Sequence, residues 1–111
     1  MTNVKQEGST TLSTPYTNFT SILKVRMPDI GKVSLVIQNA HATASLNWKV
    51  LVSNDPAGAT DSFAEEKASA ALTATSKARY LITVPAVWID IQIQSDGADS
   101  PQANVWLLGV E

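Results

Sequence analysis

The stretch VWIDIQIQ at residues 87–94 decides the fold. Its odd-numbered positions are all Val or Ile, whereas its even-numbered positions hold one Trp followed by Asp and two Gln. Side chains of a β-strand alternate between the two faces of a sheet, so this pattern places every branched apolar side chain on one face. The stretch therefore predicts a β-strand with one buried face and one outward face.

The same period of two recurs along most of the chain. Ile22 interrupts it once, in the first of these segments. Residues rich in Pro, Asp, Asn and Gly separate the segments and favour turns. The segments are 19–27, 33–37, 45–53 and 80–84, and residues 104–110 add a strand that is apolar throughout. Short strands joined by turns predict an all-β fold, an antiparallel β-sandwich of jelly-roll or Ig-like type with six to eight strands.

Residues 60–77 allow two interpretations. Ser62 to Glu65 matches a helix capping box, and the alanines that follow favour a helix. Phe63 and Leu72 are the only large apolar residues of the segment, so a helix would have almost no face to bury. We favour a short strand near Phe63 followed by a loop, with the helix as the alternative.

The first 17 residues are predicted to form an extended arm, and residues 18–111 the sandwich domain. The arm is mostly polar, and its only sizeable apolar anchors are Val4, Leu12 and Tyr16. So little apolar surface cannot offset the cost of ordering the backbone in isolation. We therefore expect these three residues to contact a neighbouring subunit, by pairing along an open strand edge.

Composition excludes several classes of protein. The 111 residues suffice for one domain, and a net charge of −2 without a basic patch argues against nucleic acid as a partner. No apolar run approaches 18 residues and the N-terminus lacks a signal-peptide core, so we expect a protein made in the cytoplasm that is not a membrane protein. Only 16% of residues are charged, against about 25% in ordinary domains, which suggests that a partner covers part of the surface.

Catalytic and metal-binding residues are not predicted. His41 is the only histidine and lies in an expected exposed loop without a nucleophile motif. Asp96 and Asp99 could offer oxygens to Ca²⁺, but the remainder of a calcium loop is missing, so a solvated turn is favoured. The chain has no cysteine. We therefore expect no enzyme activity, no cofactor, no metal and no small-molecule substrate.

The three tryptophans fall into different environments. Trp48 shares the parity of Leu46 and Val50, which places it in the core. Trp88 has the opposite parity to its isoleucine neighbours and is predicted to lie in a contact surface for protein or sugar; the alternative is an isolated exposed side chain or one covered by the arm. Trp106 belongs to a strand that is apolar on both faces, which indicates a central strand or one face in an interface.

Three segments carry a resemblance to a known group of proteins. They are an apolar strand ending in a polar turn at 33–39, a strand running into Ser-Asn-Asp at 48–55, and an aromatic-led strand closing in Gln-Ser at 88–95. This pattern resembles the small β-sandwich virion structural proteins of tailed bacteriophages. The Ala-rich segment 60–77 departs from it.

The resemblance implies a non-enzymatic virion protein that decorates or cements the capsid by bridging major capsid subunits. Its implied partners are the major capsid protein and copies of itself in a homo-oligomer, for example a trimer, gripped through the terminal arm. Two alternatives remain open: a tail or baseplate component, and a carbohydrate-binding module in which Trp88 and Trp106 stack on sugar rings.

Overall fold

A computed structural model describes residues 3–11, 19–26, 32–83, 86–95 and 102–110. These residues form eight strands and one short 3-10 turn, Thr60–Ser62. The strands are β1 Asn3–Thr11, β2 Thr20–Arg26, β3 Lys32–Asn39, β4 Leu46–Ser53, β5 Ala64–Leu72, β6 Lys77–Ile82, β7 Trp88–Ser95 and β8 Gln102–Val110. No helix in the described ranges has the length and apolar character needed to cross a membrane.

The strands form two four-stranded antiparallel sheets. Sheet A has the order β1-β8-β3-β6, and sheet B has the order β2-β7-β4-β5. The pairs β1–β8, β2–β7, β3–β6 and β4–β5 are nested around the β4–β5 hairpin, as if one long hairpin had been rolled up. This topology is a jelly roll. The predicted antiparallel sandwich is confirmed, and of the two types considered it is the jelly roll.

The core lies between the sheets and follows the predicted period of two. Trp48 is only 2% exposed, so its predicted core position is confirmed. Among the residues whose burial is described, the buried apolar side chains come from six strands: Val33, Leu35, Ile37, Leu46, Trp48, Val50, Leu72, Ile82, Ile89, Ile91, Ile93, Ala103, Val105 and Leu107. Ile22 breaks the pattern because the register of β2 shifts between Ser21 and Leu23, where the strand bulges.

The prediction for residues 60–77 is wrong in its extent. A strand does start beside Phe63, but it continues through the alanines to Leu72 as the nine-residue β5, and neither the helix nor the long loop forms. β5 is the edge strand of sheet B and most of its side chains are not buried, so it needs few large apolar residues. Small residues and backbone pairing to β4 are sufficient there.

The predicted N-terminal arm is also corrected. Residues 3–11 form β1, which pairs with β8 of the same chain from Asn3 opposite Val110 to Thr11 opposite Gln102. An open strand edge does hold this segment, but the edge belongs to its own sheet, where pairing carries no cost of association. The predicted boundary between residues 17 and 18 lies outside the described residues.

Candidate interaction surface

The outer face of sheet A exposes large apolar side chains. Trp106 and Leu108 of β8 are 38% and 39% exposed, and Leu81 of β6 is 52% exposed. Their neighbours in sequence, Val105, Leu107 and Ile82, point into the core. β8 is a central strand with one face in the core and apolar side chains on the other face as well. A central strand was one of the two explanations that the sequence offered for the apolar neighbours of Trp106.

The register of sheet A brings these side chains together. Trp106 lies opposite Val36 of β3, and the next row pairs Leu108 with Ser34, which in turn lies opposite Leu81. Directly opposed residues on one face of a sheet have Cβ atoms about 5 Å apart. Val36, Trp106 and Leu108 thus lie together on two adjacent rows, and Leu81 continues the second row on the far side of Ser34. We call the four apolar residues Val36, Leu81, Trp106 and Leu108 the outer patch.

Cations border the outer patch. Arg79 lies opposite Val36 in the row of Trp106, Lys77 lies opposite Gln38 one row away, and Lys32 stands on β3 at the other end. The side chains of these three residues make no hydrogen bond or ion pair within the described part of the chain. An apolar centre with a charged and solvated rim is the usual composition of a protein-binding surface.

The outer face of sheet B is built differently. Asp90 points outward from β7 yet is only 6% exposed, because its neighbours close over it. Its carboxylate accepts hydrogen bonds from Ser21 Oγ at 2.5 Å and from Gln92 Nε2 at 2.8 Å. Asn47 and Gln94 add a cross-strand hydrogen bond of 3.3 Å. The polar groups of this face are therefore largely occupied by one another.

Trp88, at the end of this second face, is half-buried because its own chain covers part of it. Its indole Nε1 donates to the carbonyl oxygen of Pro56 at 3.2 Å, and Gly58 lies against the ring. A Cβ on Gly58, whose φ is +65°, would come within 2.7 Å of the ring. The ammonium of Lys24 lies 5.6 Å from the same ring and 4.9 Å from that of Phe63. The loop at 54–58 thus covers Trp88.

The other predicted interface residues are placed only in part. Val4 lies in β1 opposite Gly109 of the same chain. Leu12 and Tyr16 lie outside the described residues. An interface role for Val4, Leu12, Tyr16, Trp88 and Trp106 stays a prediction, although Trp106 belongs to the outer patch and Trp88 does not.

His41 has a structural role in its loop. Its Nδ1 accepts hydrogen bonds from the backbone nitrogens of Thr43 at 3.1 Å and Ala44 at 2.9 Å. The fully buried Asn39 supports the same loop by accepting from the His41 backbone and donating to the Ala44 carbonyl oxygen. His41 is half-buried rather than exposed as predicted. Among the described residues, His, Asp and Glu form no group that could hold a metal ion.

Leu81 was missed by sequence reasoning, although its signal was present. Within KARYLI at residues 77–82, Tyr80 and Ile82 face inward, so strict alternation places Leu81 outward with Lys77 and Arg79. A leucine at an outward position beside two cations marks an exposed apolar site. The pairing that joins it to Trp106 runs through β3 and requires the sheet order.

Comparison with known proteins identifies the fold only. No protein-family model and no curated protein matches the chain. The structure is similar to that of PirA, with a TM-score of 0.67, 13% identity, and coverage of 91% of this chain and 92% of PirA. For the SPBc2 prophage-derived protein YomS the TM-score is 0.55 and the identity 8%, and the match covers 97% of this chain and 96% of YomS. For a family 35 carbohydrate binding module from Clostridium thermocellum the TM-score is 0.53 and the identity 13%, and the match covers 98% of this chain and 92% of the module. At such identities the likeness is one of fold.

Proposed function

We propose that this chain is a non-enzymatic structural protein of a bacteriophage particle that decorates the capsid by bridging major capsid subunits. The observation that carries the proposal is the outer patch, a cluster of large apolar side chains left exposed beside unpaired cations. An exposed apolar cluster with a polar rim favours a macromolecular partner. Small-ligand sites are concave, whereas the outer face of a sheet is broad and open, which suits the surface of a protein shell better.

Repetition strengthens such a contact. One small patch binds weakly, but many copies on a symmetric shell add their contacts when each copy touches more than one subunit or its own neighbours. The jelly-roll fold is shared with a prophage-derived protein, and the chain resembles phage virion proteins in three segments, which supports the virion as the site of action. A tail or baseplate position belongs to the same structural class.

The carbohydrate-binding alternative has weaker support on this surface. The fold is shared with a carbohydrate binding module, and Trp106 is an exposed aromatic ring. Sugar sites combine aromatic stacking with hydrogen-bonding side chains. In the outer patch Trp106 lies opposite Val36, and Leu108 follows it on the same face of β8, both apolar, while Glu7 of β1 is its partner in the register on the other side. Trp88, the other candidate, has its indole donor engaged by Pro56. A glycan array probed with wild type and Trp106→Ala tests this alternative directly.

The proposal is tested on particles. Phage particles purified from the host that carries this gene would be analysed by cryo-EM and by quantitative gel for the copy number of the chain. Hundreds of copies per particle support capsid decoration, a few dozen or fewer indicate a tail position, and absence from the particle overturns the virion assignment.

A variant pair links the assignment to the surface. Leu81→Ser should lower occupancy on the particle, because it places a polar group at the most exposed position of the outer patch. Arg26→Glu is the matched control, since Arg26 is exposed on β2 of the other sheet. Equal occupancy of the two variants would show that the outer patch is not the binding surface.

A further inference from the structure

Charge is unevenly distributed over the molecule. Strands β3, β6 and β8 of sheet A contain three cations, and all of them stand at exposed positions of the outer face: Lys32, Lys77 and Arg79. These three strands contain no acidic residue. The outer face therefore has an excess of positive charge, although the whole chain has a net charge of −2.

An acidic and apolar surface lies at the start of β5. Asp61 and Glu65 are both exposed, and neither carboxylate makes a hydrogen bond or ion pair within the described residues. Exposed alanines surround them, at Ala59 and Ala64 and further along β5 at Ala68. We call this surface, residues 59–68, the acidic corner. Its negative charge complements the cations that border the outer patch, and its small apolar groups can contact the apolar side chains of that patch.

We propose that the outer patch of one copy binds the acidic corner of a second copy, head to tail. This inference rests on the proposed function in one respect, that the outer patch is a protein-binding surface. It assigns that surface to a second copy, so the associated copies meet the capsid subunits through their other surfaces. Two outer patches would not pair with each other, because Arg79 and Lys77 of one copy would face the same cations of the other. Association between unlike surfaces gives a heterologous contact.

The geometry allows such a contact to repeat. β5 belongs to sheet B, and the outer patch lies on the far side of sheet A, so a copy bound at its outer patch keeps its own acidic corner free. A heterologous contact closes into a ring when the rotation permits, and a ring is the arrangement that a symmetric shell can accept.

Backbone pairing along the β5 edge does not offer an equal route. Three steps along β4, from Trp48 to Leu51, match five steps along β5, from Ala70 to Glu65, so β5 bulges. The Nζ atom of Lys67 lies 4.5 Å from the ring of the core residue Trp48. Bulges and inward-directed lysines are devices that prevent edge-to-edge pairing. Side chains of the acidic corner, rather than its strand edge, therefore form the contact.

The test uses two full-length variants, each of which disables one surface. Arg79→Glu reverses the charge of the outer patch, and Glu65→Arg reverses that of the acidic corner. In sedimentation velocity, each variant alone should associate at least about tenfold more weakly than wild type, because like charges then meet at the contact. Arg26→Glu, an exposed charge reversal on sheet B, should associate as wild type does. Melting temperature confirms that every variant is folded.

Mixing the two variants gives the decisive result. The intact corner of Arg79→Glu can bind the intact patch of Glu65→Arg, and the two charge-reversed surfaces also complement each other, so an equimolar mixture should regain the association that each variant alone has lost. Monomeric wild type at 200 µM (about the upper range of such experiments), a mixture that stays monomeric, or tighter association of Arg79→Glu would each overturn the inference. Absence of the chain from particles would overturn the proposed function without changing these solution results.

Discussion

The two outer faces of the sandwich come from the same topology but use their side chains in opposite ways. On sheet B, Asp90 is held by Ser21 and Gln92, and Trp88 is covered by the 54–58 loop. On sheet A, Trp106, Leu108 and Leu81 stay exposed and the bordering cations have no partner among the described residues. A face whose polar groups already bind one another has little left for a partner, whereas the face of sheet A has unused apolar area and charge.

Tryptophan truncation measures this difference, because the chain carries one Trp in the core and one at each outer face. The substitution in the core should give the largest loss of stability. Trp48→Ala should lower the free energy of unfolding by about 3–5 kcal/mol, since it leaves a large cavity among fully buried neighbours. Chemical denaturation of purified protein gives the value. A loss below about 1 kcal/mol would mean that β4 does not direct Trp48 inward.

The two outer tryptophans should then separate the faces. Trp88→Ala should cost about 2 kcal/mol, because the ring loses its packing on Gly58 and its hydrogen bond to Pro56. Trp106→Ala should cost about 1 kcal/mol or less in the same denaturation experiment, because the residue is already 38% exposed to solvent. Its effect should appear in association and not in folding. Equal losses for the two variants would remove the distinction between the faces.

Gly58 tests whether Trp88 is truly covered by the loop. Gly58→Ala should destabilise the protein by about 2 kcal/mol, about half from the positive φ and the remainder from the clash with the ring. In a Trp88→Ala background the clash is absent, so the same substitution should cost only about 1 kcal/mol. The measurement is a double-mutant cycle of unfolding free energies. Purely additive costs would place the loop away from the ring.

Most of the fold could be predicted from the sequence because buried and outward-facing residues alternate along a strand, so an odd or even position indicates the face. Ile89, Ile91 and Ile93 alternate with polar residues, and one face of a sandwich strand must be apolar, so the pattern alone places them in the core. Parity does not reveal an edge strand, because an edge needs little apolar area. β5, built mainly from alanine, and the polar β1 were therefore misjudged as a short strand with a loop and as an arm.

The interaction surface could be predicted only in pieces. The unusual apolarity of β8 pointed to Trp106, but the outer patch depends on β3 lying between β8 and β6. Strands that are distant in sequence acquire neighbours only through the sheet order, which the alternation of one strand does not contain. For the same reason Trp88 was assigned to a contact surface: nothing in its own strand shows that residues 56–58 cover it.

The smallest expected effect lies at the edge where the two faces meet. Tyr80 of β6 in sheet A donates from its hydroxyl to the backbone oxygen of Glu66 at 3.2 Å and to its carboxylate at 3.3 Å, in β5 of sheet B. Burial, followed by the charge of Glu66 and this hydrogen bond, raises the pKa of Tyr80 above its ordinary value of 10.0. The folded protein therefore keeps the phenol neutral at a pH where the unfolded chain has lost the proton. The stabilisation from Tyr80 is complete below pH 10 and is lost as the pH rises through the folded pKa.

Tyr80→Phe isolates this contribution. At pH 7 the variant should be less stable by about 1 kcal/mol, the usual net value of one hydrogen bond. The difference in unfolding free energy between wild type and Tyr80→Phe should shrink as the pH rises above 10. The Tyr80 phenol of the wild type then ionises more readily in the unfolded chain than in the folded one, which favours unfolding, and the variant lacks this group. Tyr16 and the lysines titrate in both proteins, so their effects cancel in the difference. Denaturation curves from pH 8 to about 11 provide the measurement. A difference that stays constant over this range would show that the hydrogen bonds from Tyr80 to Glu66 do not connect the edges of the two sheets in solution.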